Sequence, residues 1–188
     1  MNKDIFIGID PGASGGIAII DTSGSYIPAR TNGQTFGVSN AYCFKCPSGG
    51  KNMANFLRSE LEMISLYSEA KRNILVGIEK VHAMPTDARN SAFKFGMNYG
   101  TWIGIIHTHN LKLYYITPQA WTKEYEDRPR NKPERKRYFK QIAQEQFPSL
   151  KVTLNTADAL LIAMHLYYHH DLMERESDKY EVWQDSYR

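Results

Sequence analysis

Short apolar runs alternate with longer stretches of helical period along this chain. Ile5-Phe6-Ile7-Gly8-Ile9 and Gly16-Ile17-Ala18-Ile19-Ile20-Asp21 are brief, continuous and β-branched, which predicts two buried strands joined by a Gly-rich turn. Thr22-Ser23-Gly24-Ser25 is a turn signal. The segment from Tyr26 is polar and Gly-rich at first, then Asn40 to Cys46 predicts a third strand, broken by Pro47-Ser48-Gly49-Gly50. From Asn52 to about Ala70, Met53, Phe56, Leu57, Leu61, Ile64 and Tyr67 recur at helical spacing and mark the apolar face of a helix. A strand follows over 73–81, a helix over 88–109, a strand over 111–117 and a short helix opened by Pro118. Helical period returns over 132–146 and again from Leu154 onward. Strand, helix and strand in succession predict an α/β fold, with the 73–81 strand crossing over to lie in the same sheet as the first.

The first strand and the strand over 73–81 each end in an acid. Asp10 stands where the first strand meets Pro11 and Gly12, and Glu79 closes Ile74-Leu75-Val76-Gly77-Ile78. Asp and Pro are poor residues for a strand interior, so their place is at the end of one. If the two strands run parallel, both acids emerge at the carboxyl edge, where open α/β sheets bind ligands. A third acid, Asp158, opens the last helix, in Leu154-Asn155-Thr156-Ala157-Asp158-Ala159-Leu160-Leu161-Ile162-Ala163-Met164-His165. Asn155 or Thr156 can cap that helix, and Asn155 and Asp158, three apart, share a face. Each acid also has a plain structural use: Asp10 in an Asx turn, Glu79 paired with a base, Asp158 on the helix dipole. Brought together, however, they repel, by about 4 kcal/mol for a pair 4 Å apart at an effective dielectric of 20. Hard divalent cations that prefer oxygen ligands relieve that repulsion, and with Mg²⁺ the associated chemistry is phosphoryl transfer. His165, further along the same face, reads as a structural histidine.

Composition and charge narrow the partners. A chain of 188 residues fits one domain, and it has neither a run of about 20 apolar residues nor a charged-then-apolar N-terminal segment. The expectation is an intracellular, soluble protein with no membrane partner. Cys43 and Cys46 form one CxxC without a second pair at ligand spacing, and ordinary reduced thiols are expected. The net charge is only +3, yet residues 123–140 hold eight Lys or Arg against four Asp or Glu. The rest of the chain is therefore slightly negative. Basic side chains interleaved with Tyr125, Tyr138 and Phe139 suit a phosphate backbone, and the alternative is a solvated, salt-bridged helix start. Gly96 and Gly100, four apart, allow close approach of another element or of a second copy.

GIDPG after the opening strand, Glu79 within VGIEKV, and the terminal NTADALLIA helix together resemble the RuvC family of Holliday junction resolvases, within the RNase H-like superfamily. The similarity covers most of Lys3 to His170, including Ser91–Gly96 and Thr117–Lys123. The resemblance implies a mixed five-stranded sheet with helices on both faces, spanning 1–172, with a polar tail over 173–188. It implies a homodimeric, Mg²⁺-dependent endonuclease, with Mn²⁺ substituting, that acts on four-way junctions in DNA recombination and repair. It carries Asp10, Glu79 and Asp158 over as catalytic metal ligands. Lys123, with Lys132 or Lys136, would be the basic residues near the scissile phosphate. Arg128, Arg130, Arg135, Arg137 and Lys94 would contact DNA. The setting would be the cytoplasm of a bacterium or of a phage-infected host, and the compact chain suits a phage.

One position departs from the family pattern. The last helix usually carries two acids three apart, whereas here the first is Asn155, an amide that can ligate Mg²⁺ but brings no charge. That substitution keeps open a branched-DNA-binding protein with weak or no catalysis. An actin-like ATPase or sugar kinase also opens with a strand, an Asp and glycines, but needs a duplicated domain and a longer chain.

Overall fold

The computed structural model describes residues 4–22, 28–31, 34–37, 40–66, 72–80 and 88–175. In chain order the elements are β1 (Ile5–Ile9), β2 (Gly16–Asp21), β3 (Pro28–Thr31), β4 (Gln34–Gly37), β5 (Asn40–Lys45), α1 (Gly50–Leu66), β6 (Ile74–Glu79), α2 (Arg89–Thr108), β7 (Lys112–Ile116), α3 (Pro118–Thr122), α4 (Lys132–Gln146) and α5 (Ala157–Arg175). Five strands form one sheet in the order β5-β2-β1-β6-β7. β1 is central because every one of its residues is apolar and buried, as a strand covered on both faces must be. β2 pairs antiparallel to β1 and to β5, whereas β6 runs parallel to both β1 and β7. The sheet is therefore mixed, as expected. β3 and β4 form a separate antiparallel pair.

The alternation of strand side chains divides the core in two. Ile5, Ile7, Ile9, Ile17, Ile19, Val76 and Ile78 face α1 and α2, where they meet Met53, Leu57, Trp102 and Ile106. Phe6, Ala18, Ile20, Leu75, Tyr114 and Ile116 face the other way, onto α5 with α3 and α4 beside it. α5 is buried almost all round from Ala157 to Leu166, which is why its sequence is apolar rather than amphipathic. It also lies unusually close to the sheet. Gly8 and Gly77 sit side by side in the β1–β6 register. A Cβ added at Gly8 would stand 2.2 Å from the Ala159 carbonyl oxygen, and one at Gly77 would stand 2.7 Å from Ile116 Cδ1. The two glycines leave a strip of bare backbone on which α5 rests.

Several element ends differ from the sequence expectation. Residues 154–156 form a turn, and α5 begins at Ala157, directly after Thr156, one of the two residues expected to cap it. There the Thr156 hydroxyl accepts from the Thr153 N–H at 3.0 Å, and the Thr156 carbonyl takes the first helical bond from Leu160. α5 then runs on to Arg175, past the expected start of the tail at 173. Phe93, an aromatic side chain on α2, is 70% exposed. The β3–β4 pair was not expected at all, although Asn32-Gly33 between its strands is a strong hairpin signal. The turn expected over Thr22–Ser25, the helix beyond Leu66, the strand end at Val81 and the tail beyond Arg175 lie wholly or partly outside the described residues. No helix among the described residues is long and apolar enough to cross a membrane.

A carboxylate cluster at the sheet edge

The β1–β6 register ends with Ile9 opposite Ile78, so Asp10 and Glu79 occupy the next rung. The two-residue period fixes their direction. Phe6, Gly8 and Asp10 on one strand, and Leu75, Gly77 and Glu79 on the other, all point toward α5. Asp158 stands in the first turn of α5. The close approach over Gly8 and Gly77 is what lowers that turn onto the two strand ends.

Asp10 is held from several sides. Its N–H donates to the Gly16 carbonyl at 3.0 Å, and its Oδ1 accepts the Gly12 N–H at 3.0 Å. The Asx turn foreseen as the plain use of this residue is thus present, but it leaves the carboxylate turned toward the other acids. The Cys46 thiol donates to the Asp10 carbonyl at 3.4 Å. Burial, with the Asp10 charge beside it, pushes that thiol up to about 12, so it stays protonated at neutral pH. Cys43 and Cys46 are both free, as expected. Glu79 is fixed by Trp121, whose indole N–H donates to Oε1 at 2.9 Å.

Burial is the largest influence on all three acids, and it raises each of them. Glu79 is raised to about 7, with the charges of Asp10 and Asp158 adding to burial against the opposing Trp121 hydrogen bond. Asp158 is raised to about 6, against the pull of Lys136 and with the Asp10 charge adding to it. Asp10 is raised too, partly offset by the Gly12 N–H and Lys136. The chief counter-charge is Lys136, whose Nζ lies 3.6 Å from Asp158 Oδ2, with Arg135 also acting on Asp158. One lysine among three acids leaves the cluster under-compensated. Asp158 Oδ1 is moreover buried without a hydrogen-bond partner among the described residues. Such an oxygen costs about 1–3 kcal/mol unless something satisfies it. An all-oxygen donor set with excess negative charge and an orphaned oxygen fits a hard divalent cation.

The other residues named from the sequence fall around this cluster unequally. Asn155 comes from the turn before α5, and its backbone is pressed against β2: a Cβ at Gly16 would stand 2.4 Å from the Asn155 carbonyl oxygen. Of the lysines, Lys136 joins the acids. Lys132, one turn earlier on α4, and Lys123, just after α3, are exposed, and neither figures among the charges acting on the carboxylates. Arg128, Arg130 and Arg137 are exposed on α4 and the segment before it, and Arg135 is half-buried. Arg128 donates to the Tyr125 carbonyl at 3.1 Å, and Arg135 to the Arg130 carbonyl at 3.0 Å. Lys94 is exposed near the start of α2, on the other side of the sheet. His165 is buried and bonded to Glu124, in keeping with a structural histidine. Trp121 was not foreseen as a partner of Glu79; its one sequence signal was a tryptophan on a Pro-opened turn directly after a strand.

No protein-family profile matches the sequence, and no curated protein matches it. Among solved structures the chain is similar to Thermus thermophilus RuvC in complex with a Holliday junction substrate, at a TM-score of 0.55 and 13% identity, over 89% of this chain and 96% of that one. It is similar also to a second structure of RuvC from the same organism, at a TM-score of 0.51 and 14% identity, with the same coverage. The chain has the α/β, RuvC/RNase H-like fold.

Proposed function

We propose that this protein is a divalent-metal-dependent endonuclease that nicks branched DNA, four-way junctions above all, as a homodimer. The observation that carries the reading is the gathering of Asp10, Glu79 and Asp158 from two strand ends and a helix start, with Asp158 Oδ1 unsatisfied among the described residues. These acids, with the Asn155 amide, would hold Mg²⁺ or Mn²⁺, which when bound neutralises phosphate charge and lowers the pKa of water. The reaction is attack of water on phosphorus in line with the departing 3′ oxygen. The new P–O bond leaves a 5′-phosphate, and the released oxygen takes up a proton as a 3′-hydroxyl. Lys136, 3.6 Å from Asp158 Oδ2, would neutralise the scissile phosphate. Arg128, Arg130, Arg135, Arg137 and the exposed lysines of the same segment supply charge for the flanking backbone. Support for a homodimer comes from the outer side of α2, where Phe93 and Met97 are 70% and 57% exposed and an added Cβ at Gly96 or Gly100 meets nothing within 4 Å.

A second reading, a junction-binding protein without catalysis, draws on Asn155 in place of an acid. The two are separated by incubating a labelled four-way junction and a matched linear duplex with the full chain, with and without Mg²⁺. The expected outcome is paired nicks in the junction that need Mg²⁺. Asp10→Asn should lower the rate by about 10³-fold, as loss of several kcal/mol of transition-state stabilisation implies, while binding persists. Undiminished nicking by Asp10→Asn would sink the assignment of the acids. Tight binding with no nicking in Mg²⁺ or Mn²⁺ would establish the binding protein instead.

A further inference from the structure

A second group of metal-ligating side chains lies two turns along α5 from Asp158. His165 and His169 are four apart and stack on one helix face, their ring centroids 4.6 Å apart. Glu124, in the turn after α3, reaches the same spot. Its Oε1 accepts from His165 Nδ1 and, at 3.0 Å, from His169 Nε2. One ligand atom from each of the three residues lies within 4.8 Å of the others. Exposure is graded across the group: the side chains of His165, Glu124 and His169 are 5%, 25% and 37% exposed. The innermost ligand is thus sealed from water, and the outermost leaves a way in.

We propose that Glu124, His165 and His169 form a second cation site, which takes a borderline transition ion of the Zn²⁺ class. Two imidazole nitrogens and one carboxylate oxygen suit such an ion and not Mg²⁺, which demands oxygen and keeps its waters. Ligand atoms around a tetrahedral Zn²⁺ with bonds of 2.0–2.1 Å lie roughly 3.3 Å apart. Small side-chain rotations would therefore seat the ion, with a water in the fourth position. The ion would replace the shared hydrogen bonds at Glu124 Oε1 and fasten the α3–α4 connection to α5. Trp121, three residues before Glu124, donates to Glu79, so the fastening lies next to the carboxylate cluster without sharing a residue with it. The proposal does not depend on the nuclease reading.

The test is titration of the full chain with Co²⁺ and Zn²⁺ in millimolar Mg²⁺, which keeps the carboxylate cluster occupied. One Co²⁺ per chain should bind with the intense visible bands of a four- or five-coordinate site and be displaced by Zn²⁺. His169→Ala and Glu124→Gln should each weaken binding by at least the roughly 10–100-fold that loss of an outer-shell partner alone would give. Asp10→Asn should leave it unchanged. In the wild-type chain, Zn²⁺ should shift the ring signals of two of the six histidines in an NMR spectrum, a readout that does not depend on any variant folding. Failure of the wild type to take up a stoichiometric ion, or histidine signals that stay in place, would overturn the site and leave a hydrogen-bonded tether. Binding lost in Asp10→Asn and kept in His169→Ala would place the ion at the carboxylates and overturn it equally.

Discussion

The two faces of the sheet are covered by different means. On the α1 and α2 side, β-branched residues such as Ile7, Ile19 and Ile78 stand between sheet and helix, meeting Leu57, Trp102 and Ile106. On the α5 side the backbone itself makes the contact at Gly8, while Gly77 makes room for the side chains of Ile116, Ile162 and Leu166. A layer of side chains can repack by rotamer changes, whereas backbone against backbone has no such freedom. The acids sit on the second face. Where groups must be held close against their mutual repulsion, the chain has chosen the contact that cannot relax. The outer side of α2 is the opposite case, since Gly96, Gly100 and Gly104 meet nothing that a Cβ would touch.

The sharpest way to break this contrast is Gly8→Ala. Its Cβ would lie 2.2 Å from Ala159 O and 2.5 Å from Ala163 N, both backbone atoms, so α5 must lift away. A loss of about 3 kcal/mol or more in denaturant unfolding is expected, at the upper end of the range for overpacking. A loss below about 1 kcal/mol would show that the α5 side yields as readily as the other.

The next effect is electrostatic. Glu79 moves from 4.5 to about 7 and Asp158 from 3.8 to about 6, so the folded protein retains protons that the unfolded chain has released. Raised carboxyl groups contribute no penalty below their unfolded values; in the absence of divalent ions, stability falls as pH climbs through about 4 to 7. Glu79→Gln keeps an acceptor for Trp121 and removes the charge. It should raise stability at pH 8 in chelator by about 2 kcal/mol, after discount for partial exposure, and flatten the profile. Thermal unfolding at several pH values reads this directly, and an unchanged profile would mean that neither burial nor the neighbouring acids raise Glu79. Smallest, and opposite in sign to Gly8→Ala, is Gly100→Ala, expected to stabilise the isolated chain by about 0.5–1 kcal/mol through helix propensity. If this helix face pairs with a second copy, sedimentation should show the same variant to be a weaker dimer.

Much of this arrangement was legible along the chain. Asp10 and Glu79 were marked by the apolar strands they close, and the order of strands and helices was enough to make those strands neighbours. The glycine two residues before each acid, in Gly8-Ile9-Asp10 and Gly77-Ile78-Glu79, announced the close approach of α5 as well, but only in hindsight. The choice between Lys132 and Lys136 could not be made from spacing, because both lie on one side of α4 and its rotation is set by Phe139 and Ala143 packing into the core. Trp121 and Glu124 were illegible for a related reason. Their partners lie 42 and 41 residues away, in Glu79 and His165, and a five-residue helix carries no periodicity to say which way it points. β3 and β4 escaped notice because four-residue strands over Pro28–Thr31 and Gln34–Gly37 lack a run of apolar alternation.

The acids come from residues 10, 79 and 158, the last of them on the final described helix. A partly folded chain in which α5 has not docked holds two carboxylates on neighbouring strands and no third. Such a chain already carries its basic segment yet lacks the full set of oxygens. Assembly of the centre thus waits on the last of these helices: three carboxylates share one place only once the polypeptide has closed over its own sheet.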